Sequence, residues 1–135
     1  MQKYVKSRKF ICAMLATLIV SIVCQAEASK DVDAKSVMNI MSEVQVLDVR
    51  TIQEFKEGHI EGAINIDVTS ESFAEKVDKL EKEKTYLVHC GANVENGRAA
   101  KAMAQMNSLG FSNLQNLKGG YVAWVKSGGE IVKAQ

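Results

Sequence analysis

Cys90 and Arg98 are the two residues whose types and spacing could support covalent chemistry. An apolar run over 86–88 leads through His89 to the cysteine, and a loop of small and polar residues follows it. Arg98 then opens an alanine- and methionine-rich segment that is typical of a helix. Successive loop N–H groups and the N-terminus of the next helix can converge on one anion. A cysteine held at that point has its thiolate stabilised, and the thiolate is the reactive form.

This pattern predicts that Cys90 is a catalytic nucleophile and that the following loop is its anion pocket. The residues predicted to bind substrate are Gly91, Ala92, Asn93, Val94, Glu95, Asn96, Gly97 and Arg98. The alternative is that Cys90 is a small buried apolar residue, as many unpaired cysteines are. Its place between a strand and a glycine-containing loop favours the reactive interpretation.

The N-terminus has the three-part pattern of a secretory signal peptide. Residues 1–9 carry four basic residues and no acid, residues 10–26 carry no charge, and 26–28 fit the small-x-small cleavage rule. We expect a signal peptide over 1–28 and a folded domain over 34–132 of an exported, periplasmic protein. The alternative is an uncleaved membrane anchor, for which the apolar run is short.

Cleavage after residue 28 would leave 107 residues with 13 basic and 15 acidic side chains, a net charge of −2. A mildly acidic domain without a basic run is a poor nucleic-acid binder, so we expect no nucleic-acid partner and no membrane association after cleavage. Cys12 and Cys24 would leave with the signal, and Cys90 alone cannot form an internal disulfide. No cluster of His, Cys, Asp or Glu has metal-ligand spacing, so no metal site is predicted.

Helical and strand patterns alternate along the rest of the chain, which predicts a three-layer α/β domain with a mainly parallel sheet. Residues 29–34 are polar and are expected to be a flexible start. Ser72 and Glu75 have the spacing of a capping box. The predicted strands span 43–50, 63–67, 85–89 and 113–117, and the predicted helices span 34–41, 51–57, 73–82, 97–109 and 121–126. Ligand sites in such folds lie beyond the carboxyl ends of the strands, where Cys90 is placed.

The chain also resembles the rhodanese-like domain of sulfurtransferases. Three blocks carry the resemblance, in order: Leu47-Asp48-Val49-Arg50 with Glu54-Phe55, Gly58-His59-Ile60 and Gly62–Ile66; Val88-His89-Cys90 with Arg98; and Leu109-Gly110-Phe111 with Asn116-Leu117, Gly119-Gly120 and Ala123-Trp124. The resemblance implies a five-stranded parallel sheet with helices on both faces. It implies that Cys90 takes up a sulfane sulfur as a persulfide and passes it to a thiophilic acceptor, with no metal or organic cofactor.

For four further residues the family roles look structural: Asp48, Arg50, Glu54 and His59. Asp48 is expected to bond toward the loop after Cys90, and Arg50 is expected to pair with Glu54. His59 is expected to be a buried hydrogen-bonding turn residue. His89 is a poor candidate for a general base, because neighbours on a strand point to opposite faces.

The loop departs from the family pattern in length and charge. Seven residues separate Cys90 from Arg98, where the common single-domain form has four and the related cell-cycle phosphatases have five. The loop contains Glu95 and no Lys or Arg, and a carboxylate pointing inward would repel thiosulfate. A persulfide, polysulfide or protein-bound donor is therefore as plausible as thiosulfate.

The partners expected are a small sulfur donor, a thiol or cyanide-like acceptor, and a protein sulfur carrier or reductant. The leading hypothesis is a rhodanese-type sulfurtransferase. A non-catalytic binding or regulatory module with the same fold is the alternative. A phosphatase is disfavoured by the loop length and by Glu95.

Overall fold

A computed structural model describes residues 29–92 and 97–134. Its main sheet has five strands in the order β1-β6-β5-β2-β4, and every paired neighbour runs parallel. The strands are β1 (Lys30–Val32), β2 (Gln45–Asp48), β4 (Ile64–Asn65), β5 (Tyr86–His89) and β6 (Leu114–Leu117). The prediction of a mainly parallel five-stranded sheet is confirmed. All four residues of the central β5 are buried, as expected for a strand covered on both faces.

Helices cover both faces of the sheet. They are α1 (Ala34–Met38), α2 (Ile52–Glu57), α3 (Phe73–Asp78), α4 (Arg98–Ser108) and α5 (Gly120–Lys126), and a 3-10 turn spans Met41–Glu43. One apolar cluster joins α3 and α4 to the sheet, and a second joins α1 and α5 to the opposite face. Leu87 packs in the second cluster while its neighbour Val88 packs in the first. This alternation follows from the two-residue period of a strand.

The helix that follows the candidate loop is the best predicted element. It begins at Arg98 with Gly97 as its N-cap, and Gly110 adopts a φ of +94° just after its end. Ala99, Met103 and Met106 are buried on its inner face, as the helical spacing predicts. The apolar methionine side chains therefore belong to the core.

The two ends of the domain differ from the prediction. Residues 30–32 are the edge strand β1, with Val32 opposite Leu117 of β6, so the expectation of a flexible start is wrong. A second, two-stranded sheet pairs β3 (His59–Ile60) antiparallel with β7 (Ile131–Val132), and neither strand was predicted. Runs of two or three residues are too short to show a two-residue hydrophobic period, so the pairing partner decides their conformation.

The capping predictions also need correction. Among the described residues, Ser72 makes no side-chain cap bond to α3, and Glu75 pairs instead with the exposed Lys79. The helix ends at Asp78, short of the predicted 82. A capping box does form at α2, where Thr51 accepts from the Glu54 backbone and Glu54 accepts from the Thr51 backbone. This box holds Glu54 in a fixed position at the first turn of α2.

The predicted signal peptide lies outside the described residues. Over 29–92 and 97–134, no helix is both long enough and apolar enough to cross a membrane.

Candidate active site

Cys90 directly follows β5, the central strand of the sheet, so it lies at the carboxyl edge where ligand sites of parallel α/β folds form. The residue is only 4% exposed and packs with the apolar cluster beneath α4. Gly91 is half-buried and Ala92 is exposed. The predicted binding residues Asn93, Val94, Glu95 and Asn96 lie outside the described residues.

The backbone at Cys90 is held from the far side by the start of α5. The carbonyl oxygen of Cys90 accepts a hydrogen bond from the Tyr121 amide at 2.9 Å, and that of Gly91 accepts from the Val122 amide at 3.0 Å. Gly120 makes this approach possible. Its φ is +59°, and an added Cβ would lie 2.7 Å from the Cys90 oxygen and 2.8 Å from the Gly91 oxygen. In the sequence the Gly119-Gly120 pair belongs to the third block of the family resemblance, and its position against the site was not predicted.

Arg98 faces the same edge of the sheet. Its Nη1 donates to Oε2 of Glu54 at 2.6 Å and its Nη2 donates to Oε1 at 2.8 Å, a bidentate pair between α4 and α2. An added Cβ on Gly91 would lie 3.4 Å from Arg98 Nη2, so the guanidinium lies directly beside the residue after Cys90. The pairing partner of Arg98 was not predicted.

Glu54 is ionised in this pair. The hydrogen bond from Arg98, supported by those from Thr51, lowers the pKa of Glu54 from 4.5 to about 2. The hydrogen bond to Glu54 in turn raises the pKa of Arg98, and the negative charge of Asp67 adds to the effect. A guanidinium and a carboxylate in bidentate contact are nearly neutral together at neutral pH.

Asp48 and Arg50 form a second, fully buried pair. Arg50 Nη2 donates to Asp48 Oδ2 at 2.6 Å and to the Gly58 carbonyl at 2.7 Å, and its guanidinium lies 4.0 Å from the centre of the Tyr121 ring. The expected pairing of Arg50 with Glu54 is therefore wrong. Among the described residues, Asp48 bonds to Arg50 and not toward the loop after Cys90. Arg50 turns inward to Asp48, and Glu54 pairs with Arg98 instead.

His89 is buried beside this second pair, since it lies opposite Asp48 in the register of β2 and β5. Its Nδ1 lies 3.0 Å from the Cys90 carbonyl oxygen, and because a carbonyl only accepts, Nδ1 carries the proton. Its Nε2 lies 3.7 Å from Asp48 Oδ2 and has no hydrogen-bond partner in the described part of the chain. Burial lowers the pKa of His89 despite the nearby Asp48. A histidine bonded to the Cys90 backbone on the Asp48 side is poorly placed to act as a base on the sulfur.

His59 and Trp124 have packing roles. His59 Nδ1 lies 2.9 Å from the Phe55 carbonyl and its ring stacks on Phe55 at 3.7 Å, so the predicted hydrogen bond is confirmed, but the residue is half-buried and belongs to β3. Trp124, on the buried face of α5, packs in the core, and its indole N–H donates to the Glu130 carbonyl at 2.9 Å. Across 29–92 and 97–134, no three His, Cys, Asp or Glu side chains gather as a metal site would require.

The model of one protein family, the rhodanese-like domain, matches residues 29–127. The chain belongs to the rhodanese-like domain family. The chain is 30% identical over 119 residues to the uncharacterized protein YqhL of Bacillus subtilis, a match that covers 88% of each chain. It is 34% identical over 92 residues to the chloroplastic thiosulfate sulfurtransferase 16 of Arabidopsis thaliana, covering 61% of this chain and 74% of that protein.

A solved structure has the same fold. The crystal structure of a rhodanese-related protein from Thermoplasma volcanium superposes with a TM-score of 0.68 at 30% identity, covering 76% of this chain and 97% of that one. The parallel sheet and the helices on both faces are thus the rhodanese-like fold in this chain.

Proposed function

We propose that this rhodanese-like domain is a sulfurtransferase that accepts a sulfane sulfur on Cys90 and delivers it to a thiophilic acceptor. The observation that carries the proposal is the position of Cys90. It directly follows the central strand, and its neighbour Gly91 lies beside Arg98, the first residue of α4. The name of the Arabidopsis relative, thiosulfate sulfurtransferase 16, agrees with this class of reaction.

The reaction has two half-reactions. The Cys90 thiolate attacks the outer sulfur of a donor, a new sulfur–sulfur bond forms on Cys90, and the donor's sulfur–sulfur bond breaks. With thiosulfate, sulfite leaves with the bonding electron pair. A thiol or cyanide then attacks the outer sulfur of the persulfide and regenerates the thiolate. The covalent intermediate divides one difficult transfer into two easier ones.

The Cys90 backbone is fixed for this chemistry by contacts on both sides. The amide of Tyr121 and Nδ1 of His89 both donate to its carbonyl oxygen, at 2.9 Å and 3.0 Å. A fixed carbonyl restricts the rotation of the residue that carries the nucleophile. Such pre-organisation lowers the entropic cost of reaching a productive geometry.

Intact mass measurement tests the proposal directly. The protein is exposed in turn to thiosulfate, polysulfide and a hydropersulfide, and we expect a gain of about one sulfur atom that cyanide or a thiol removes. Cys90→Ser should gain no sulfur from any donor. A wild-type protein that takes up no sulfur, or a Cys90→Ser variant that still transfers it, would refute the proposal.

The burial of Cys90 favours one alternative, a rhodanese-like module that binds a partner without catalysis. At 4% exposure the residue could serve only as core packing. In that case Cys90→Ser would keep partner binding, and the wild-type mass would not change with any donor. The mass experiment therefore separates the two functions.

Export and partners extend the proposal. The composition of residues 1–28 supports a cleaved signal peptide and a periplasmic location. There the domain would exchange sulfur with small donors and acceptors or with a protein sulfur carrier or reductant. N-terminal sequencing of the protein recovered from a periplasmic extract tests this point, and a start at Ser29 is expected.

A further inference from the structure

The carboxylate of Glu54 accepts hydrogen bonds from the guanidinium of Arg98, the cationic side chain described beside Cys90. Both terminal nitrogens of Arg98 donate to Glu54, at 2.6 Å and 2.8 Å, and the two side chains are 34% and 35% exposed. The pair can therefore be reached from solvent. A ligand at Cys90 would meet an arginine whose charge is already balanced.

The surrounding charge is negative. The groups that act on Arg98 are the carboxylate of Glu54 first, and then Cys90 and Asp67. Glu54 is ionised because its pKa is about 2. The guanidinium of Arg98 thus contacts one carboxylate, that of Glu54, and Asp67 adds a weaker negative charge at longer range. The segment 91–97 adds no Lys or Arg to this balance.

Arg50 does not supply additional positive charge to a ligand at Cys90. Arg50 is 4% exposed, and its guanidinium is held by Asp48, the Gly58 carbonyl and the Tyr121 ring. An arginine buried in an ion pair, with its Nε and Nη2 both engaged, cannot turn toward a ligand without losing several contacts. Neither Arg50 nor Arg98 therefore offers an uncompensated positive charge to a dianion.

We propose that Glu54 is a specificity-determining residue, which neutralises Arg98 beside Cys90 and so selects sulfur donors of low negative charge over the thiosulfate dianion. This inference rests on the proposed sulfur transfer at Cys90 and adds the donor class. The favoured donor is a hydropersulfide. The thiolate attacks its outer sulfur, the new sulfur–sulfur bond forms on Cys90, and the donor thiolate leaves with the electron pair of the broken bond.

Glu54→Gln is the sharpest variant for a test. Glutamine can keep the capping box with Thr51 and can still accept from Arg98, but it removes the charge. The measurement is the second-order rate constant for sulfur uptake by Cys90, followed by intact mass, with thiosulfate and with cysteamine hydropersulfide. The ammonium of the second donor offsets its persulfide charge.

Glu54→Gln should raise the thiosulfate rate constant about tenfold, the effect of one unit charge on a dianion about 8 Å away at a dielectric constant of about 60. The rate constant for cysteamine hydropersulfide should change less than about twofold. Glu57→Gln is the matched control, since it removes a charge from an exposed position of the same helix without releasing Arg98. It should change neither rate constant by more than about twofold. Adding Arg98→Gln to Glu54→Gln should cancel the gain.

An unchanged ratio of the two rate constants in Glu54→Gln, or an equal change in Glu57→Gln, would overturn the role of Glu54. If the wild type takes up sulfur from neither donor, the proposed transfer itself fails, which is a different result.

Salt dependence of the wild type gives a second test that needs no variant. Added salt should raise the thiosulfate rate constant relative to that of cysteamine hydropersulfide, because it screens repulsion; a fall in that ratio would contradict the inference.

Discussion

Two arginine–carboxylate pairs lie near the end of the central strand, and they differ in burial and in sequence separation. Asp48 and Arg50 are two residues apart, with side chains 0% and 5% exposed. Glu54 and Arg98 are 44 residues apart and about one-third exposed. The first pair is sealed beneath Tyr121, while the second bridges α2 and α4 at the surface. The same kind of ion pair thus lies in the core in one place and at the solvent-exposed edge of the candidate site in the other.

The buried pair should give the largest effect on stability. Arg50→Met leaves the Asp48 carboxylate buried without its partner, and we expect a loss of about 3–5 kcal/mol in the free energy of unfolding. Urea denaturation measures it. Lys79→Met, which breaks an exposed pair with Glu75, is the control and should cost less than about 0.5 kcal/mol. Equal small losses in both variants would remove the distinction between the two regions.

Gly120 connects the buried region to the site, and its substitution is expected to have the next largest effect. Gly120→Ala places a methyl group against the Cys90 and Gly91 carbonyls at a positive φ, which should cost about 2–3 kcal/mol. Gly128→Ala is matched, because its φ is +81° with no described atom within 4 Å of the added Cβ, and it should cost only about 1 kcal/mol. Thermal denaturation of both variants isolates the contribution of the carbonyl contacts. Equal losses of stability in the two variants would show that the backbone at Cys90 can shift to accommodate the added methyl group.

The sequence predicted the local features of these regions and missed the long-range ones. The methionine spacing of α4 and the apolar run of β5 are repeated within a few residues, so their positions were predicted correctly. The partner of Arg50 was predicted wrongly: the resemblance implied Glu54, but Asp48, two residues before Arg50, binds the guanidinium. Tertiary packing under Tyr121 decides that direction, and no local pattern reports it.

The same reasoning explains what was missed at the site. Glu54 and Arg98 meet only because α2 and α4 follow neighbouring strands of a parallel sheet. The edge strands β1, β3 and β7 are only two or three residues long. They form because β1 pairs with the longer β6, and because β3 and β7 pair with each other. Spacing arguments can place Cys90 at a strand end, but they cannot supply the glycine contact that holds it.

His89 allows the buried region to be tested by pH. Burial lowers its folded-state pKa below 6.5, and Asp48, Arg50 and Tyr121 face its ring. The unfolded chain therefore binds the proton first, so His89 contributes stability above pH 6.5 that is lost as the pH falls below it. The slope should be at most about 1.4 kcal/mol per pH unit, the value for one proton. Urea denaturation from pH 7.5 to 5 should show this slope in the wild type and a weaker one in His89→Asn; equal slopes would contradict the prediction.

Glu54 gives the smallest effect, in a separate pH window. The pKa of the Glu54 carboxyl is lowered from its ordinary value of 4.5 to about 2 in the folded protein. The pair with Arg98 therefore stabilises the folded protein above pH 4.5, and this stabilisation is lost as the pH falls toward 2. Because both side chains are about one-third exposed, solvent screening should limit this to about 0.5–1 kcal/mol. Urea denaturation of the wild type and Glu54→Gln between pH 6 and pH 3 measures the difference, which should shrink as the carboxylate is protonated. A difference that stays constant across this range would mean that the capping contacts with Thr51, and not the charge, stabilise this edge of the site.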